Sequence, residues 1–367
     1  MSFKDLTPAK KYSIIKYTLV LVDIGYTLLL LCSFAGLGLS KFLYNYTLKA
    51  LPVNFLLLPV YLLTLFVIYG VLAFPLNFYR TFTLEHKFHL STQNFMDWLQ
   101  DQLKSGLISF VIGLILLALF YLVLGNFPHH WWWVLSAVWI FFSLILAKAL
   151  PILIIPLFFK YKKLSDEALR QRILDLAFKL KVKILDVFEI DLSKKTLKAN
   201  AAFVGLGNTR RVLLADTLKD KYTHDEIAVI LAHEFAHYRL RHMLKLILVN
   251  SAVTFMIFYL IFRTGPYYLQ LFGFSSLSDI AALPLVLIYF VVFGLIMQPF
   301  ENYISRHFER DADRLAIKVT GLRDAFISMM EKLAAQNLAD RRVHPVIKLF
   351  FFDHPPVDER IEMASKT

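Results

Sequence analysis

Cysteine is almost absent from this chain of 367 residues, in which Cys32 is the only one. A single thiol excludes an intrachain disulfide and leaves no cysteine pair for a thiolate metal site. Cys32 also lies within a long apolar run, where we expect it to pack against lipid or other apolar side chains. The sequence further lacks internal repeats, low-complexity tracts and long Gly/Ser linkers. We therefore expect one integrated unit rather than a series of separable modules.

Charged residues are scarce as well: they make up 19% of the chain, whereas hydrophobic residues make up 57%. This balance excludes an ordinary soluble globular protein. Six apolar runs approach or exceed the length of about 20 helical residues that crosses a hydrocarbon layer of about 30 Å. The sequence therefore predicts a mainly α-helical, polytopic membrane protein with about six spans, at residues 17–39, 55–78, 106–127, 131–159, 245–262 and 283–299.

The net charge of +12 would suit nucleic acid binding, but its distribution indicates membrane orientation instead. About 35 of the 40 Lys and Arg residues lie in segments 1–16, 77–105, 159–243 and 300–367. Because cytoplasmic segments of membrane proteins carry an excess of Lys and Arg, we expect these segments and both termini to face the cytoplasm. The lipid bilayer is then the expected partner of this charge, and no nucleic acid partner is expected.

Residues 233–237 read HEFAH, which is an HExxH motif. A capping-box pattern at Thr223 and the apolar residues after it predict a helix over 223–240. On a helix, two histidines four residues apart face the same way and can share one metal ion, although such pairs also occur as satisfied surface or core residues. The glutamate between them favours the metal interpretation. We therefore interpret His233 and His237 as ligands of one Zn²⁺ ion and Glu234 as the general base of a metallopeptidase.

A third ligand is expected from beyond the last apolar run. Residues 301–319 predict a charged amphipathic helix, and a hairpin of the fifth and sixth runs would return it to the boundary where the histidines lie. Glu309 is our third zinc ligand, and Asp313, one turn further on, is expected to hydrogen-bond the outer nitrogen of a ligating histidine. A single carboxylate in such a helix is usually a solvated surface residue, so this interpretation depends on the co-location. We expect His242 and His307 to lie off the ligand face, at the surface or behind the ligands.

The predicted fold is a transmembrane helical bundle with a discontinuous, zincin-like metalloprotease lobe that contains a small β-sheet. Residues 211–215 are predicted as one buried strand of that sheet. The expected segments are spans one to four with a cytoplasmic loop at 79–105 (1–159), the cytoplasmic lobe with the HExxH motif (160–243), a transmembrane hairpin (244–300), and the C-terminal part of the lobe with the third ligand (301–367).

These residues resemble the M48 family of membrane zinc metalloproteases, and within it the Ste24 type, also called CAAX prenyl protease 1. Residues 305–309 with Ala312-Asp313 look like the family's stretch around the third ligand, and His354-Pro355-Pro356 with Arg360 looks like its C-terminal motif. Residues 200–203 resemble the edge strand that holds the substrate backbone, and residues 85–97 are similar to the loop after an early span. The chain departs from the usual family motif at Phe235-Ala236, where relatives have Leu-Gly.

The resemblance implies a cage of helices around a water-filled intramembrane chamber, one Zn²⁺ per chain and no obligate protein partner. It also implies a metalloendopeptidase that cleaves membrane-associated or lipidated peptides and proteins, including CAAX-box processing. His354 would donate to the developing oxyanion, with Arg360 orienting it. The backbone of an extended substrate would pair with the edge strand, at residues Asn200, Ala201, Ala202 and Phe203.

Two other functions are compatible with the sequence. An M48-type protease can act in quality control on misfolded membrane proteins, and the sequence does not separate this role from prenyl-protein processing. A metal-binding membrane transporter is the alternative from another class, although transporters usually place their sites near the bilayer midplane in repeated halves. The sequence shows no ER-retention tail or transit peptide, so we expect either a bacterial inner membrane or the ER membrane.

Overall fold

The computed structural model of the chain describes residues 5–51, 53–205 and 210–366. Six helices in these ranges are long and apolar enough to cross a membrane, in agreement with the number predicted from the sequence. Helices suit this environment because they satisfy all backbone hydrogen bonds within one segment. The candidate spans are Pro8–Gly36, Leu57–Lys87, Phe95–Asn126, Trp131–Phe158, His242–Leu271 and Ile280–Thr320.

The first four spans are built from six helices, and a further helix, α2, connects the first span to the second. In chain order the helices are α1 (Pro8–Gly36), α2 (Leu39–Ala50), α3 (Leu57–Phe78), α4 (Leu84–Lys87), α5 (Phe95–Asn126), α6 (Trp131–Ala149) and α7 (Ile155–Phe158). Two π-helical turns, Tyr79–Thr83 and Leu150–Ile154, join α3 to α4 and α6 to α7, so that each pair forms one continuous span. The side chain of Asn94 caps α5 by accepting from the backbone N–H of Asp97. Only residues 88–94 of the expected loop at 79–105 are therefore non-helical.

A four-stranded mixed sheet follows the fourth span. Its elements in chain order are β1 (Tyr161–Lys163), α8 (Glu167–Lys179), β2 (Val187–Ile190), β3 (Ala201–Val204), β4 (Arg211–Ala215), α9 (Asp216–Lys219) and α10 (His224–Arg239). The strand order is β1-β2-β4-β3, with β2 and β4 parallel and the other pairs antiparallel. The predicted strand at 211–215 is β4, which is almost fully buried. Because β3 ends the order, one of its sides is a free sheet edge.

The remaining elements are α11 (His242–Leu271), α12 (Leu283–Thr320), α13 (Arg323–Gln336), α14 (Pro345–Phe351) and α15 (Val357–Lys366), with short 3-10 turns at Asn54–Leu56, Leu192–Lys194 and Ile280–Ala282. The sixth apolar run and the charged segment after it, expected as two elements, form the single helix α12. Pro299 lies inside this helix without ending it. Its 38 residues extend for about 57 Å, far more than the about 30 Å of a hydrocarbon layer.

The polar half of α12 therefore projects out of the membrane bundle and packs against α10. We call residues 160–240 and 301–366 the lobe. Its core joins apolar side chains from the sheet and from six helices, α8, α9, α10, α12, α13 and α15. Representative members with no exposed surface are Leu169, Val212, Ile227, Ala316 and Phe326. The lobe thus has a hydrophobic core of its own, distinct from the apolar contacts between the spans.

The lobe is joined to the membrane bundle through residues 192–198, which we call the anchor segment. Its backbone bonds to the loop at 88–94, with Leu197 N–H donating to the carbonyl of Leu90 at 2.9 Å. The ammonium of Lys198 pairs with Glu85 Oε2 at 2.7 Å, and that of Lys195 pairs with Asp101 at 2.5 Å. The anchor segment ends two residues before β3, so these contacts fix the start of the edge strand against the bundle.

Candidate metal centre

Helix α10 carries the two motif histidines and is held firmly at its start. The Thr223 hydroxyl accepts from the N–H of Glu226, whose carboxylate accepts in return from the N–H of Thr223. This is the capping box predicted from the sequence. The Glu226 carboxylate also accepts from Ser328 and Lys332 of α13, each at 2.7 Å. The helix is therefore a rigid support for the side chains that it presents.

Three donor atoms from α10 and α12 converge at one point. The Nε2 atoms of His233 and His237 lie 3.0 Å apart. Glu309 Oε2 lies 3.2 Å from Nε2 of His233, and Glu309 Oε1 lies 3.1 Å from Nε2 of His237. A tetrahedral site with bonds of about 2.0 Å requires ligand atoms about 3.3 Å apart, close to these distances. The structure thus brings together the three residues that the sequence analysis proposed as ligands.

The surroundings of Glu309 fit a metal cation. Its side chain is 6% exposed, and its ion-pair partners within the described residues are imidazoles alone. Glu309 Oε2 is buried and receives no hydrogen bond from any described group. A buried carboxylate is costly to desolvate unless a positive charge compensates it. A divalent cation between Glu309 and the two histidines would supply that charge.

A buried chain of polar groups supports His233 from behind. Its Nδ1 lies 2.8 Å from Asp313 Oδ1, and Asp313 accepts two hydrogen bonds from Arg360, at 2.8 and 2.5 Å. Burial by itself lowers the pKa of His233, but the adjacent carboxylates of Asp313 and Glu309 outweigh it and raise the pKa to about 10. The pocket therefore attracts positive charge. Asp313 also fixes the imidazole so that Nε2 faces the other two ligands.

His354 reaches the same site from the segment between α14 and α15. Its Nε2 lies 3.4 Å from Glu309 Oε1, and its side chain is 51% exposed. The guanidinium of Arg360, which we expected to orient His354, pairs with Asp313. Asp353 orients the ring instead, at 2.8 Å from Nδ1. Burial lowers the pKa of His354, but the bond to Asp353 and the charge of Glu309 outweigh it and raise the pKa, which favours the protonated, donating form.

Glu234 borders a cavity of about 200 Å³ next to the ligands. Its carboxylate is half-buried and makes no hydrogen bond or ion pair to another side chain in the described part of the chain. The lining of the cavity also includes His233, His354 and Arg360, together with Ala199, Asn200 and Ala201 at the start of β3. A carboxylate, an imidazole and a strand edge therefore meet in one space beside the three ligands.

The residues proposed for substrate binding lie at the edge of the sheet. Ala201 and Ala202 pair with β4 on one side, and Asn200 is exposed at the start of the strand. The side chain of Phe203 does not face the cavity as a substrate contact would, because its ring packs on Phe235 of α10 at 5.5 Å. The sequence analysis missed Asn337, whose amide bonds both the N–H and the carbonyl of Ala199 and so holds the strand start.

His242 lies behind the ligands, which is one of the two positions expected from the sequence. On an unbroken helix it would lie about 140° away from His237. Helix α10 ends at Arg239, however, and α11 begins at His242 itself. The turn between them brings the His242 ring to within 3.0 Å of the outer nitrogen of His237, where it is buried. His307, in contrast, is exposed as expected.

A bundle of candidate spans with a buried His-His-Glu cluster and a carboxylate beside it defines a polytopic membrane metalloprotease. The family model of Peptidase family M48 matches residues 163–367, and the model described as CAAX prenyl protease N-terminal, five membrane helices, matches residues 1–160. The chain belongs to peptidase family M48. This confirms the resemblance found in the sequence, and the transporter alternative is not supported.

Relatives and a solved structure agree with this assignment. The chain is 30% identical to the uncharacterized metalloprotease YhfN of Bacillus subtilis, over 100% of this chain and 87% of that protein. It is 31% identical to CAAX prenyl protease 1 of Saccharomyces cerevisiae, over 78% of this chain and 67% of that protein. The crystal structure of S. mikatae Ste24p matches with a TM-score of 0.86 and 26% identity, covering 97% of this chain and 88% of that chain.

Proposed function

We propose that this membrane metalloprotease is a zinc endopeptidase in which His233, His237 and Glu309 hold one Zn²⁺ ion. The observation that carries this proposal is the close spacing of the ligand atoms of these three residues, which include the buried Oε2 of Glu309. Two imidazoles and one carboxylate form a donor set that zinc accepts in catalytic sites, with one position left open. Bound zinc supplies Lewis acidity to the scissile carbonyl and to the attacking water.

The protein's own groups then move the protons. Glu234 takes a proton from the water as it attacks the carbonyl carbon, and delivers that proton to the leaving amine nitrogen. His354 donates from its imidazole to the oxygen on which negative charge develops. Arg360 and Asp313 act through His233, by holding the orientation of that ring.

We propose that the substrate binds as an extended peptide along the free edge of β3. Main-chain hydrogen bonds bind such a peptide without demanding a particular sequence. The cavity beside Glu234 supports this placement, because Asn200 and Ala201 line it together with His233 and His354. A peptide bound to the edge would thus pass the proposed ligands. The role of Phe203 is then to contribute backbone, while its side chain supports α10.

For the substrate class we propose membrane-associated and lipidated peptides, including C-terminal prenylated CAAX peptides. The support is the similarity to CAAX prenyl protease 1 of yeast and to Ste24p. Cleavage rates of a farnesylated CAAX peptide and its unmodified counterpart test this point. A faster reaction of the farnesylated peptide is expected, and equal rates would favour the quality-control alternative, in which misfolded membrane proteins are cleaved.

We also propose that the lobe and both termini face the cytoplasm, because most Lys and Arg residues lie on that side of the spans. The membrane would be a bacterial inner membrane or the ER. The test uses Asp324→Cys, at an exposed lobe position, in a Cys32→Ser background. In intact cells, where the cytoplasm is the enclosed side, a membrane-impermeant maleimide should label this cysteine only after permeabilisation. In ER vesicles, whose cytoplasmic face is outside, labelling should occur at once.

The catalytic proposal is tested with Glu234→Gln and the matched control Glu362→Gln, which alters an exposed residue of α15. Glu234→Gln should retain one zinc ion per chain and lose peptidase activity by about 10²-fold or more. The control should retain both zinc and activity. Substantial cleavage by zinc-loaded Glu234→Gln would contradict the assignment of the base.

A further inference from the structure

We propose that His242 is a positioning residue that fixes the tautomer of His237 and thereby raises the affinity of the site for its metal. This inference rests on the proposed role of His237 as a ligand. It concerns a residue outside the HExxH motif, whose ring reaches the ligands only because the chain breaks between α10 and α11.

The break has an unusual backbone conformation. Arg241 adopts φ of +57°, in the left-handed region that residues with a side chain rarely adopt. No glycine is present at this turn to relieve it. Strained backbone of this kind persists where the surrounding structure requires it, and it is concentrated at functional sites. Here its effect is to return His242 toward His237 instead of letting it continue around the helix.

When a metal is bound, the hydrogen bond between the rings of His237 and His242 can run in one direction only. The Nε2 atom of His237 faces His233 and Glu309, so it must keep its lone pair for the ion. The proton of the neutral ring then lies on Nδ1, which is 3.0 Å from Nδ1 of His242. His242 must accept this proton's hydrogen bond and carry its own proton on Nε2. Each ligating histidine thus has an outer partner, Asp313 for His233 and His242 for His237.

The packing around His242 indicates a role other than stability. Its ring is 1% exposed and stacks on Phe308, the neighbour of Glu309, with a centroid distance of 4.4 Å and an interplanar angle of 8°. Its Nε2 is buried and has no hydrogen-bond partner in the described residues. A buried donor without a partner opposes folding. A phenylalanine would stack equally well at this position without that disadvantage, so the imidazole contributes something that packing does not require.

Two substitutions distinguish the role of His242 as a hydrogen-bond acceptor from the packing of its ring. His242→Phe keeps the stacked ring and removes the acceptor. His242→Asn removes the ring, but its side-chain oxygen occupies about the position of Nδ1 and can accept from His237. His307→Phe, at an exposed position of α12, is the control for the chemical change alone. Zinc affinity of the detergent-purified full chain is measured by competition with a chromophoric chelator, and thermal unfolding is followed in metal-free protein.

His242→Phe should bind zinc about 10- to 100-fold more weakly than the native chain, whereas its metal-free unfolding temperature should be equal or higher. His242→Asn should recover most of the lost affinity, and His307→Phe should match the native chain. The Co²⁺ spectrum of His242→Phe should keep the shape of the native spectrum, since all three ligands remain.

Three results would overturn the inference: native zinc affinity in His242→Phe, a clear fall in its metal-free unfolding temperature, or an equally weak His242→Asn. A native chain that binds no zinc would instead contradict the proposed metal centre itself. Failure of this inference can be distinguished from failure of the metal centre, because each of the three results is measured relative to a native chain that binds zinc.

Discussion

Replacement of Glu309 by glutamine tests whether the ligand from α12 is necessary for the metal centre. The substitution keeps the size and shape of the side chain and removes its charge. Structural zinc sites with four protein ligands bind with about 10–16 kcal/mol, or about 3–4 kcal/mol per ligand. Loss of one effective ligand should therefore weaken zinc binding by about 10²- to 10³-fold.

The structure also predicts that this variant folds. Glu309 pairs with imidazoles alone among the described residues, so no buried Lys or Arg is left without its partner. The glutamine amide fills the same space, and its oxygen can accept a hydrogen bond from an imidazole in place of the carboxylate. Metal-free Glu309→Gln should then unfold at the same temperature as the metal-free native chain, or at a higher one.

The assay is zinc content per chain after dialysis against a graded zinc buffer, together with cleavage of an extended peptide. Asp311→Asn is the matched control, because it removes a carboxylate from the same helix at a partly exposed position, where its ion-pair partners among the described residues are His307 and Arg314. The control should bind zinc and cleave as the native chain does. One zinc per chain at native affinity in Glu309→Gln would refute the assignment of the third ligand.

Three further predictions concern the supports of the site. Arg360→Met should destabilise the protein by about 3–5 kcal/mol, because it leaves Asp313 buried with an uncompensated charge; denaturant unfolding in detergent measures this, and an unchanged midpoint contradicts it. Lys198→Met should break the part-buried pair with Glu85, worth about 1 kcal/mol, and raise KM about fivefold with little change in kcat; an unchanged KM contradicts the proposed placement of the substrate. Asp186 accepts a hydrogen bond from an arginine of α8, which lowers the pKa of Asp186 to about 2. The stabilising effect of the ionised Asp186 should therefore be complete above about pH 4 and lost as the pH falls toward 2. Asp186→Asn should show a smaller loss of stability over that interval, and an unchanged acid profile contradicts the pairing.

The parts of this molecule that could be predicted from the sequence depend on local pattern. The six spans follow from apolar run length, the start of α10 from its capping box at Thr223, and β4 from its buried β-branched and leucine residues. Proximity of Glu309 to the histidines followed from topology, since a hairpin must return the chain to the boundary that it left. The family resemblance depended on the same short motifs and is confirmed by the family models.

The parts that could not be predicted depend on the backbone conformation of single residues and on which acidic or polar side chain pairs with a given partner. The change from apolar to charged composition near Pro299 suggested two elements, but proline inside a long helix disrupts one turn without ending it. The left-handed Arg241 has no sequence signal, because glycine or asparagine usually marks that conformation. The ion pair between Arg360 and Asp313 was also not predicted from the sequence. The guanidinium of Arg360 pairs with Asp313 because that carboxylate is fully buried and can accept two hydrogen bonds.

The anchor segment has a consequence for which bonds the enzyme can reach. Residues 192–198 bond to the loop between the second and third spans, and β3 begins three residues later. We therefore expect the start of the strand edge to be held at a fixed position relative to the bundle. If the substrate binds along this edge as proposed, a peptide tethered in the membrane must have enough free chain between its tether and its scissile bond to reach the edge. We then expect peptides with shorter tethers to be cleaved more slowly.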